Sequence, residues 1–279
     1  MEVGHFPSGP EGELFRRVAL SIVVSQSVEL SSWNLDLRSP FWRLYVNRRS
    51  GAALVHEGKR LPLRPGTVCL IPAWVRFQTV AARGVVQEFL HFHVTGLPPR
   101  LPEGGFDRPF QCPMGPLEPS YRAWHRGFAQ AGGQGLAELG WAYALAHGAL
   151  ALAVGALTPG DRRFLHGWFD DSEGLRPALD LLDGRLAEPP RNRELAALCG
   201  MSADHFIRRF RGVVGMTPAR YGIGRRIATA ANWLVGTDWK IDAVADAAGF
   251  TDRFHFSHAF KTRTGVSPAA YRRAHRKAG

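Results

Sequence analysis

An internal repeat close to the C-terminus constrains this chain more than any other feature. At an offset of fifty residues, Phe206, Phe210, Gly215, Pro218 and Tyr221 correspond to Phe256, Phe260, Gly265, Pro268 and Tyr271. At an offset of forty-nine, Leu195, Ala196, Gly200 and Ser202 correspond to Val244, Ala245, Gly249 and Thr251. We assign the extra residue to the start of the second copy's last helix. The pattern predicts two copies of one small folding unit.

Each copy has the features of two helices joined by a short turn. An apolar i, i+3, i+4, i+7 stripe, typical of a helix with one buried face, is formed by Ile241, Val244, Ala245 and Ala248. Gly200 and Gly249 suit a left-handed residue in the turn. Ser202 and Thr251 are predicted N-caps of the helix that follows. Because glycines, caps and aromatic anchors all match, we prefer helix-turn-helix units at about 192–212 and 241–262 to an ordinary bundle with a basic surface.

A predicted helix from Pro218 to about Leu234 joins the two units. Its seventeen residues at a rise of about 1.5 Å give about 25 Å. Successive major-groove faces on one side of B-DNA are about 34 Å apart, so one chain could place recognition helices in two adjacent grooves.

The positive charge is concentrated in the same part of the chain. The whole sequence has a net charge of +11, and residues 176–279 contain 18 Lys and Arg against 9 Asp and Glu, a net of +9. Binding to a polyanion follows, because each neutralised phosphate releases counterions. Charge alone does not distinguish DNA from RNA or from a membrane surface.

Other features favour a cytoplasmic protein with no membrane partner. The N-terminus lacks the basic and apolar segments of an export signal. The longest apolar stretch, Leu139–Leu157, is interrupted by His147 and three glycines. The three cysteines are far apart, with no CxxC pair, which argues against a disulfide framework and a structural zinc site. We therefore predict no metal and no cofactor.

Residues 176–276 resemble the AraC/XylS family of bacterial transcription regulators. The resemblance rests on the segments Leu195-Ala-Ala-Leu-Cys-Gly-Met-Ser-Ala-Asp-His-Phe-Ile-Arg-Arg-Phe210, Gly215-Met-Thr-Pro218, Ile241-Asp-Ala-Val-Ala-Asp-Ala-Ala-Gly-Phe250 and Phe260-Lys-Thr-Arg-Thr-Gly-Val-Ser-Pro268. It implies seven helices, two tandem helix-turn-helix units, binding to double-stranded promoter DNA and, usually, activation through RNA polymerase. It also implies a regulator and not an enzyme.

The family's base-reading positions correspond here to Asp204, Ile207 and Arg208, and to Arg253, Phe254, Ser257 and His258. Arg208 can pair with guanine through two hydrogen bonds, whereas Asp204 can accept from a cytosine amino group or through water. Arg209, Arg226 and Lys261 are expected phosphate contacts, and Arg211 lies on the expected outer face. Ile207 and Phe254 depart from the expected polar residues and either contact thymine methyl groups or pack. The alternative for each residue is a solvated surface position.

Residues 1–157 have a different character and predict an α+β protein of two domains. Short apolar runs separated by turn residues indicate strands at Ala19–Val24, Ala52–Val55, Val68–Pro72 and Val85–Val94, with helices expected at Glu118–Ala131 and Leu136–Leu157. The apolar second helix is a candidate for a homodimer interface or for intramolecular packing. A polar linker is expected at 158–174, before a DNA-binding domain at 175–279.

Residues 40–95, notably Glu57-Gly-Lys-Arg-Leu-Pro-Leu-Arg-Pro-Gly-Thr-Val-Cys-Leu-Ile-Pro72, resemble the cupin-like sensor barrel that precedes this DNA-binding domain in the family. The resemblance implies a small effector, which we expect to be a sugar. Candidate ligand residues are Trp33, Trp42, Arg43, Tyr45, Trp74, Arg76, His91 and His93. Core packing is the alternative for the aromatic residues. His91 and His93 form a His-x-His pair, but a third histidine and a carboxylate at cupin spacing are missing, so ligand contact or a structural role is preferred to metal binding.

Three functional classes are compatible with these sequence features. A DNA-binding regulator that responds to a ligand fits best. A constitutive DNA-binding protein, whose N-terminal domain only dimerises, is the second. An enzymatic cupin with a DNA-binding domain is the third, and it requires a metal triad that the sequence does not supply.

Overall fold

The computed structural model describes residues 17–30, 33–98, 101–129 and 135–276, and for 274–276 it describes the backbone alone. The strands are β1 (Ala19–Leu30), β2 (Asp36–Arg38), β3 (Trp42–Asn47), β4 (Ala52–His56), β5 (Lys59–Pro62), β6 (Thr67–Ile71), β7 (Arg76–Ala81), β8 (Val85–Thr95) and β9 (Phe110–Pro113). The helices are α1 (Glu118–Arg126), α2 (Leu136–Gly155), α3 (Pro159–Ser172), α4 (Arg176–Gly184), α5 (Asn192–Leu198), α6 (Ala203–Val214), α7 (Pro218–Gly236), α8 (Ile241–Ala247), α9 (Arg253–Thr264) and α10 (Pro268–Arg276). Each predicted strand is present, and the predicted helices start at the expected residues, with the last two residues of the predicted helix Glu118–Ala131 lying outside the described residues.

The strands form two antiparallel sheets in one compact unit, which contains Leu20–Val94 and Phe106–Leu157. One sheet has the order β1-β8-β3-β6-β9 and the other has the order β2-β7-β4-β5. Residues such as Tyr45 of the first sheet and Leu54 and Phe77 of the second share one buried apolar core. The core therefore lies between the two sheets.

The closed barrel expected from the sequence needs correction. Over the described residues the two sheets share no strand, so the unit is a two-sheet structure with open edges. The β5 edge shows one physical reason. Lys59 and Arg60 are exposed there, and Pro62 has no N–H to donate to a further strand.

The two helices that follow the strands pack in the same unit. Trp124 of α1 is fully buried, and its Nε1 donates to Ser25 Oγ at 2.9 Å. Helix α2 buries one row of side chains, namely Ala142, Leu145, Ala146, Ala149, Leu150 and Ala153. By length and composition α2 is also the one helix among the described residues that could cross a membrane, a criterion that buried core helices also meet.

The polar linker expected at 158–174 needs a second correction, because most of it forms α3. Thr158 caps this helix by accepting a hydrogen bond from Asp161 N at 3.0 Å, and Pro159 takes the first helical position. Leu165, Trp168, Phe169 and Ser172 follow the i, i+3, i+4, i+7 spacing and are buried. Polar residues between these positions make the buried stripe difficult to recognise in the sequence. The helix belongs to the second compact unit, which contains Thr158–Tyr271 and also Thr95–Gly105, a segment that the sequence assigns to the N-terminal domain.

Among the described residues, seven helices, α4–α10, follow α3, in agreement with the number that the resemblance implies. Helices α5 and α6 form one pair across a turn at Gly200, and α8 and α9 form another across a turn at Gly249. Both glycines have positive φ, 65° and 71°, as the turn requires.

The cap of the second pair differs from the prediction. Ser202 caps α6 as expected, through His205 N at 3.4 Å. In the second copy Asp252 is the cap, with its Oδ1 2.7 Å from His255 N, and Thr251 precedes it. The one-residue difference between the copies therefore lies in the turn. Helices α6 and α9 are equal in length and are offset by fifty residues throughout.

Candidate nucleic-acid interface

Helix α6 presents one charged row to solvent. Phe206 and Phe210 are fully buried and hold the opposite side of the helix in a core formed with α4 and α5. Asp204, Arg208 and Arg211 are exposed and follow the i, i+4, i+7 spacing, so they lie on one face. We name these three residues the first outer row. The row offers hydrogen-bond donors and an acceptor to an approaching groove.

Helix α9 presents the equivalent row fifty residues later. Phe256 and Phe260 are fully buried, with ring centroids 5.5 Å apart. Phe254, His258 and Lys261 are exposed and form the second outer row. The side chain at Phe254 is 85% exposed. It is therefore not a packing residue, which was one of the two interpretations left open by the sequence.

The remaining predicted reading residues lie beside the outer rows. Ile207 is half-buried and packs against the core below α6, and Ser257 is half-buried at the equivalent position of α9. Arg253 Nε lies 3.5 Å from Asp242 Oδ1 on α8, and both side chains are more than half exposed. Exposed pairs of this kind contribute little to stability, so Arg253 remains available to another acceptor.

Two predicted phosphate contacts have other contacts in the structure. Arg209 donates from its Nη2 to the carbonyl oxygen of Asp171, at 3.3 Å. Arg226 donates from its Nη1 to the carbonyl oxygen of Gly249, at 2.7 Å, and its guanidinium stacks over Phe250 at 4.6 Å. Burial lowers the pKa of Arg226. The contacts of Arg226 favour a structural role over the phosphate contact expected from the sequence. Arg209 is exposed and has one long hydrogen bond, so its phosphate contact stays a prediction.

Helix α7 joins the two helix pairs. It has 19 residues, two more than the sequence indicated, and at a rise of about 1.5 Å it is about 28 Å long. Thr217 caps it by accepting a hydrogen bond from Arg220 N at 3.3 Å. This length approaches the spacing of about 34 Å between successive major-groove faces on one side of B-DNA.

Sequence reasoning missed Asp183, Arg225 and Asp252. The Asp183 carboxylate accepts from Tyr221 Oη at 3.0 Å and lies 2.7 Å from Arg225 Nε. Burial raises the pKa of Asp183. The hydrogen bond from His255 N lowers the pKa of Asp252. The extra residue before α9 is the sequence feature that could have identified Asp252 as the cap. Thr251 was predicted instead because it aligns with Ser202.

In the N-terminal unit, part of the predicted ligand set lies together between the sheets. Arg43 is 2% exposed, and its guanidinium donates to Tyr45 Oη at 3.1 Å and to Ser39 Oγ at 2.6 Å. It lies 5.0 Å from the centroid of Phe41, whose ring stacks on His91 at 4.8 Å. We name Arg43, Tyr45, Ser39, Phe41 and His91 the Arg43 cluster. Burial raises the pKa of Tyr45, so its hydroxyl keeps its proton and can donate.

Two more predicted ligand residues are adjacent to this cluster. Trp33 packs edge-on against Tyr45, with centroids 5.5 Å apart. His93 lies edge-on to Phe41 at 6.4 Å, so it shares a face with His91. Within the described residues, no group of three or more His, Cys, Asp or Glu is arranged to hold a metal ion.

The other three predicted ligand residues are not part of the Arg43 cluster. Trp42 alternates with Arg43 along β3 and packs on the other face of the sheet, against Phe106 at 5.1 Å. Trp74 lies in the turn before β7 with φ 68°. Arg76 is exposed and forms an ion pair with Asp36 at 2.7 Å. A single cluster of all eight predicted residues is therefore not formed.

Comparison with known proteins identifies the domain that contains this candidate interface. Residues 195–274 match the family model described as a helix-turn-helix domain. The MmsAB operon regulatory protein of Pseudomonas aeruginosa is 36% identical over 78 residues, 28% of this chain and 25% of the relative. The transcriptional activator NphR of a Rhodococcus species is 34% identical over 86 residues, 31% of this chain and 25% of the relative. The matched part thus covers about a quarter of each relative.

Two solved structures have the same overall fold. ToxT from Vibrio cholerae O395 is 11% identical, with a TM-score of 0.53 over 93% of this chain and 98% of that chain. ToxT from strain SCE256, described as bound to an unsaturated fatty acid, is 10% identical, with a TM-score of 0.50 over 91% and 94%. At this identity the likeness concerns the fold alone.

The matched residues 195–274 form a helix-turn-helix domain. This C-terminal domain is of the AraC type, as the sequence resemblance implied, and the two relatives that share it are named as an operon regulatory protein and a transcriptional activator.

Proposed function

We propose that the chain is a sequence-specific transcription regulator that reads two adjacent major-groove faces of double-stranded DNA with α6 and α9. The observation that carries this proposal is the pair of outer rows, which occupy equivalent positions on two helices of equal length. Arg208 in the first row is suited to guanine, and His258 in the second row offers ring nitrogens to a base edge. Lys261 supplies charge to the phosphates.

A paired substitution tests this division of roles. Arg208→Ala should weaken binding to the cognate site by about 1–3 kcal/mol and relax preference at one base position. Lys261→Ala should weaken cognate and random duplexes equally and reduce the salt dependence. Both side chains are exposed, so neither change should reduce stability. Two variants with the same effect on cognate and random DNA would contradict the assignment.

The N-terminal unit is proposed to bind a small effector at the Arg43 cluster. The buried guanidinium can donate to the oxygens of a ligand, and Phe41, Trp33 and Tyr45 supply aromatic faces. A sugar fits this chemistry, as the sequence suggested. A carboxylate with an apolar body is the second candidate, because the guanidinium fork matches a carboxylate and a solved ToxT structure is described with a fatty acid.

Calorimetry of the full-length protein against a panel of sugars and carboxylates, with chelator present, separates these candidates. Tyr45→Phe removes one hydroxyl from the cluster and should weaken binding of the true effector by several-fold, because one hydrogen bond contributes about 1 kcal/mol. Trp42→Phe, on the opposite face of the same strand, is the matched control and should leave binding unchanged. Binding only after metal is restored would overturn the proposed chemistry. No binding at all would favour the alternative, a constitutive dimeric regulator whose N-terminal unit has no ligand.

We also propose a cytoplasmic homodimer that acts with RNA polymerase, most simply as an activator. The support for a dimer is that α2 leaves two large apolar side chains outside the core of its unit, Leu136 at 91% exposed and Trp141 at 45% exposed. Exposed apolar side chains of this size can form an interaction surface with a second copy of the chain. Sedimentation of wild type and Trp141→Glu at equal concentration tests the dimer, which the charge should dissociate.

A further inference from the structure

The middle of α7 contains the segment Gly222-Ile-Gly-Arg-Arg226. Two glycines in the interior of one helix are unfavourable, because each costs about 1 kcal/mol relative to alanine. Two adjacent arginines point about 100° apart around the helix axis. In the structure, Gly222 and Arg225 lie against α4, which packs with the first helix pair. Gly224 and Arg226 lie against the second pair.

Arg225 faces α4, the helix that packs with the first pair. Its Nε lies 2.7 Å from Asp183 Oδ1, at the end of α4, and the two side chains are only 24% and 21% exposed. Tyr221, one turn earlier on α7, donates to the same carboxylate oxygen. Helix α4 contributes Leu179 and Leu182 to the core that holds α6. Arg225 therefore connects α7 to the scaffold of the first outer row.

Arg226 faces the second pair. It donates to the carbonyl oxygen of Gly249, the left-handed residue of the turn between α8 and α9, at 2.7 Å. Its guanidinium also covers the ring of Phe250, the next residue of that turn, at 4.6 Å. Since this turn sets the direction in which α9 leaves α8, Arg226 connects α7 to the scaffold of the second outer row.

The glycines lie where the same two pairs approach the helix closely. A Cβ at Gly222 would be 3.3 Å from Leu182 Cδ2, in the first core. A Cβ at Gly224 would be 3.1 Å from Arg263 Nη1, on α9. Arg263 in turn donates to the carbonyl oxygen of Arg220 on α7, at 2.8 Å. Both distances are tighter than ordinary contacts, so an alanine at either position would require the neighbouring side chain to shift by a few tenths of an ångström.

We infer that Arg225 and Arg226 are positioning residues that fix α6 and α9 relative to each other, and thereby set the spacing at which the protein accepts its two DNA half-sites. The inference rests on the proposed function, in which both outer rows read bases. Arg225 and Arg226 do not have to contact a base, because they act through the Asp183 carboxylate and the Gly249 carbonyl.

DNA geometry makes this spacing measurable. One inserted base pair separates two half-sites by about 3.4 Å and rotates them by about 34°. A rigid connection between α6 and α9 cannot follow such a change and loses one set of base contacts. A loosened connection can follow it in part, so the penalty for an insertion should shrink when a positioning residue is removed.

The experiment uses the full-length protein and an operator selected from random duplexes. Affinity is measured for the selected duplex and for duplexes with one base pair added or removed between the half-sites. We expect wild type to lose at least about tenfold on either change, the effect of one or two lost base contacts. Arg226→Met, which keeps the volume over Phe250 but cannot donate, should reduce that loss to about threefold. Arg226→Lys, which can donate to the carbonyl again, should restore most of it.

A second variant tests Arg225 without leaving a buried charge unpaired. Asp183→Asn combined with Arg225→Met removes both charges and should also reduce the spacing penalty. Arg220→Ala removes an exposed charge from the same helix, so it should weaken all duplexes without changing the ratio between them. Thermal melting of each variant confirms the fold.

The outcomes separate the two proposals. A wild-type protein indifferent to spacing would contradict the proposed reading of two half-sites. A second outcome would overturn the positioning role alone. In this outcome wild type has a sharp spacing optimum, and the folded variants Arg226→Met and Asp183→Asn/Arg225→Met have the same optimum and the same loss of affinity on insertion.

Discussion

Phe254 is the residue at which the two outer rows differ most. At the equivalent position of the first row stands Asp204, a carboxylate that accepts hydrogen bonds, whereas Phe254 offers only an apolar ring. The ring is 85% exposed on the helix that we propose reads a major groove. The apolar group that a major groove presents is the C5-methyl of thymine. Exposure excludes packing in the free protein, and thymine contact stays a prediction.

Uracil substitution tests this contact one methyl group at a time. Replacing the contacted thymine with uracil should weaken wild-type binding about fourfold, since burial of one such group contributes about 0.8 kcal/mol. Phe254→Ala should bind more weakly, and its affinity should not change when that thymine is replaced with uracil. Phe254→Leu should retain part of the wild-type response to the replacement. Competition binding with duplexes that differ by one methyl group gives the result. Equal responses of wild type and Phe254→Ala at every thymine would refute the contact.

At the scale of elements, the two turns look alike in sequence and differ in packing. Gly200 has open space where a Cβ would be, so its requirement for glycine comes from its positive φ alone. At Gly249 a Cβ would lie 2.3 Å from the carbonyl oxygen of Leu186 and 2.7 Å from that of Ala187. The second turn therefore needs glycine for close approach to the backbone as well as for its dihedral angles.

Alanine substitutions at the two turns should therefore reduce stability by different amounts. Gly200→Ala should lower the free energy of unfolding of the C-terminal unit by about 1–2 kcal/mol, the cost of a left-handed residue. Gly249→Ala should lower it further, because two backbone carbonyls must also move. Gly167→Ala, in the interior of α3 with open space around it, should instead raise stability by up to about 1 kcal/mol. Urea denaturation measures all three, and equal losses at Gly200 and Gly249 would contradict the packing argument.

The same elements show how far the sequence determines the structure. Strong periodicity and paired glycines locate α5, α6, α8 and α9, because these features are local. The sequence predicts a linker where α3 lies, since the buried stripe of this helix is hidden by polar neighbours and its stability comes from tertiary packing. The contacts of Arg209 and Arg226 also escape prediction. An arginine on a basic surface looks the same in sequence whether it meets a phosphate or a backbone carbonyl.

At the scale of the whole molecule, the sequence indicates the two classes of structure but not their details. Alternation predicts the strands, but it does not distinguish a closed barrel from two sheets, which depends on how the edges are paired. Of eight predicted ligand residues, those in the Arg43 cluster lie together, whereas Trp42 points away because side chains alternate along a strand. Any effector bound there can control DNA binding only through different affinities for two states of the protein.

A direct measurement can test whether α6 and α9 of one chain read two separate major-groove faces. Methylation of guanine N7, which lies in the major groove, can be scored for interference with binding of the full-length protein to its selected operator. We expect two clusters of interference about 10 base pairs apart. Arg208→Ala should abolish the response in one cluster and His258→Ala should change the other. A single cluster per bound chain, or two variants that alter the same cluster, would contradict reading by both helices.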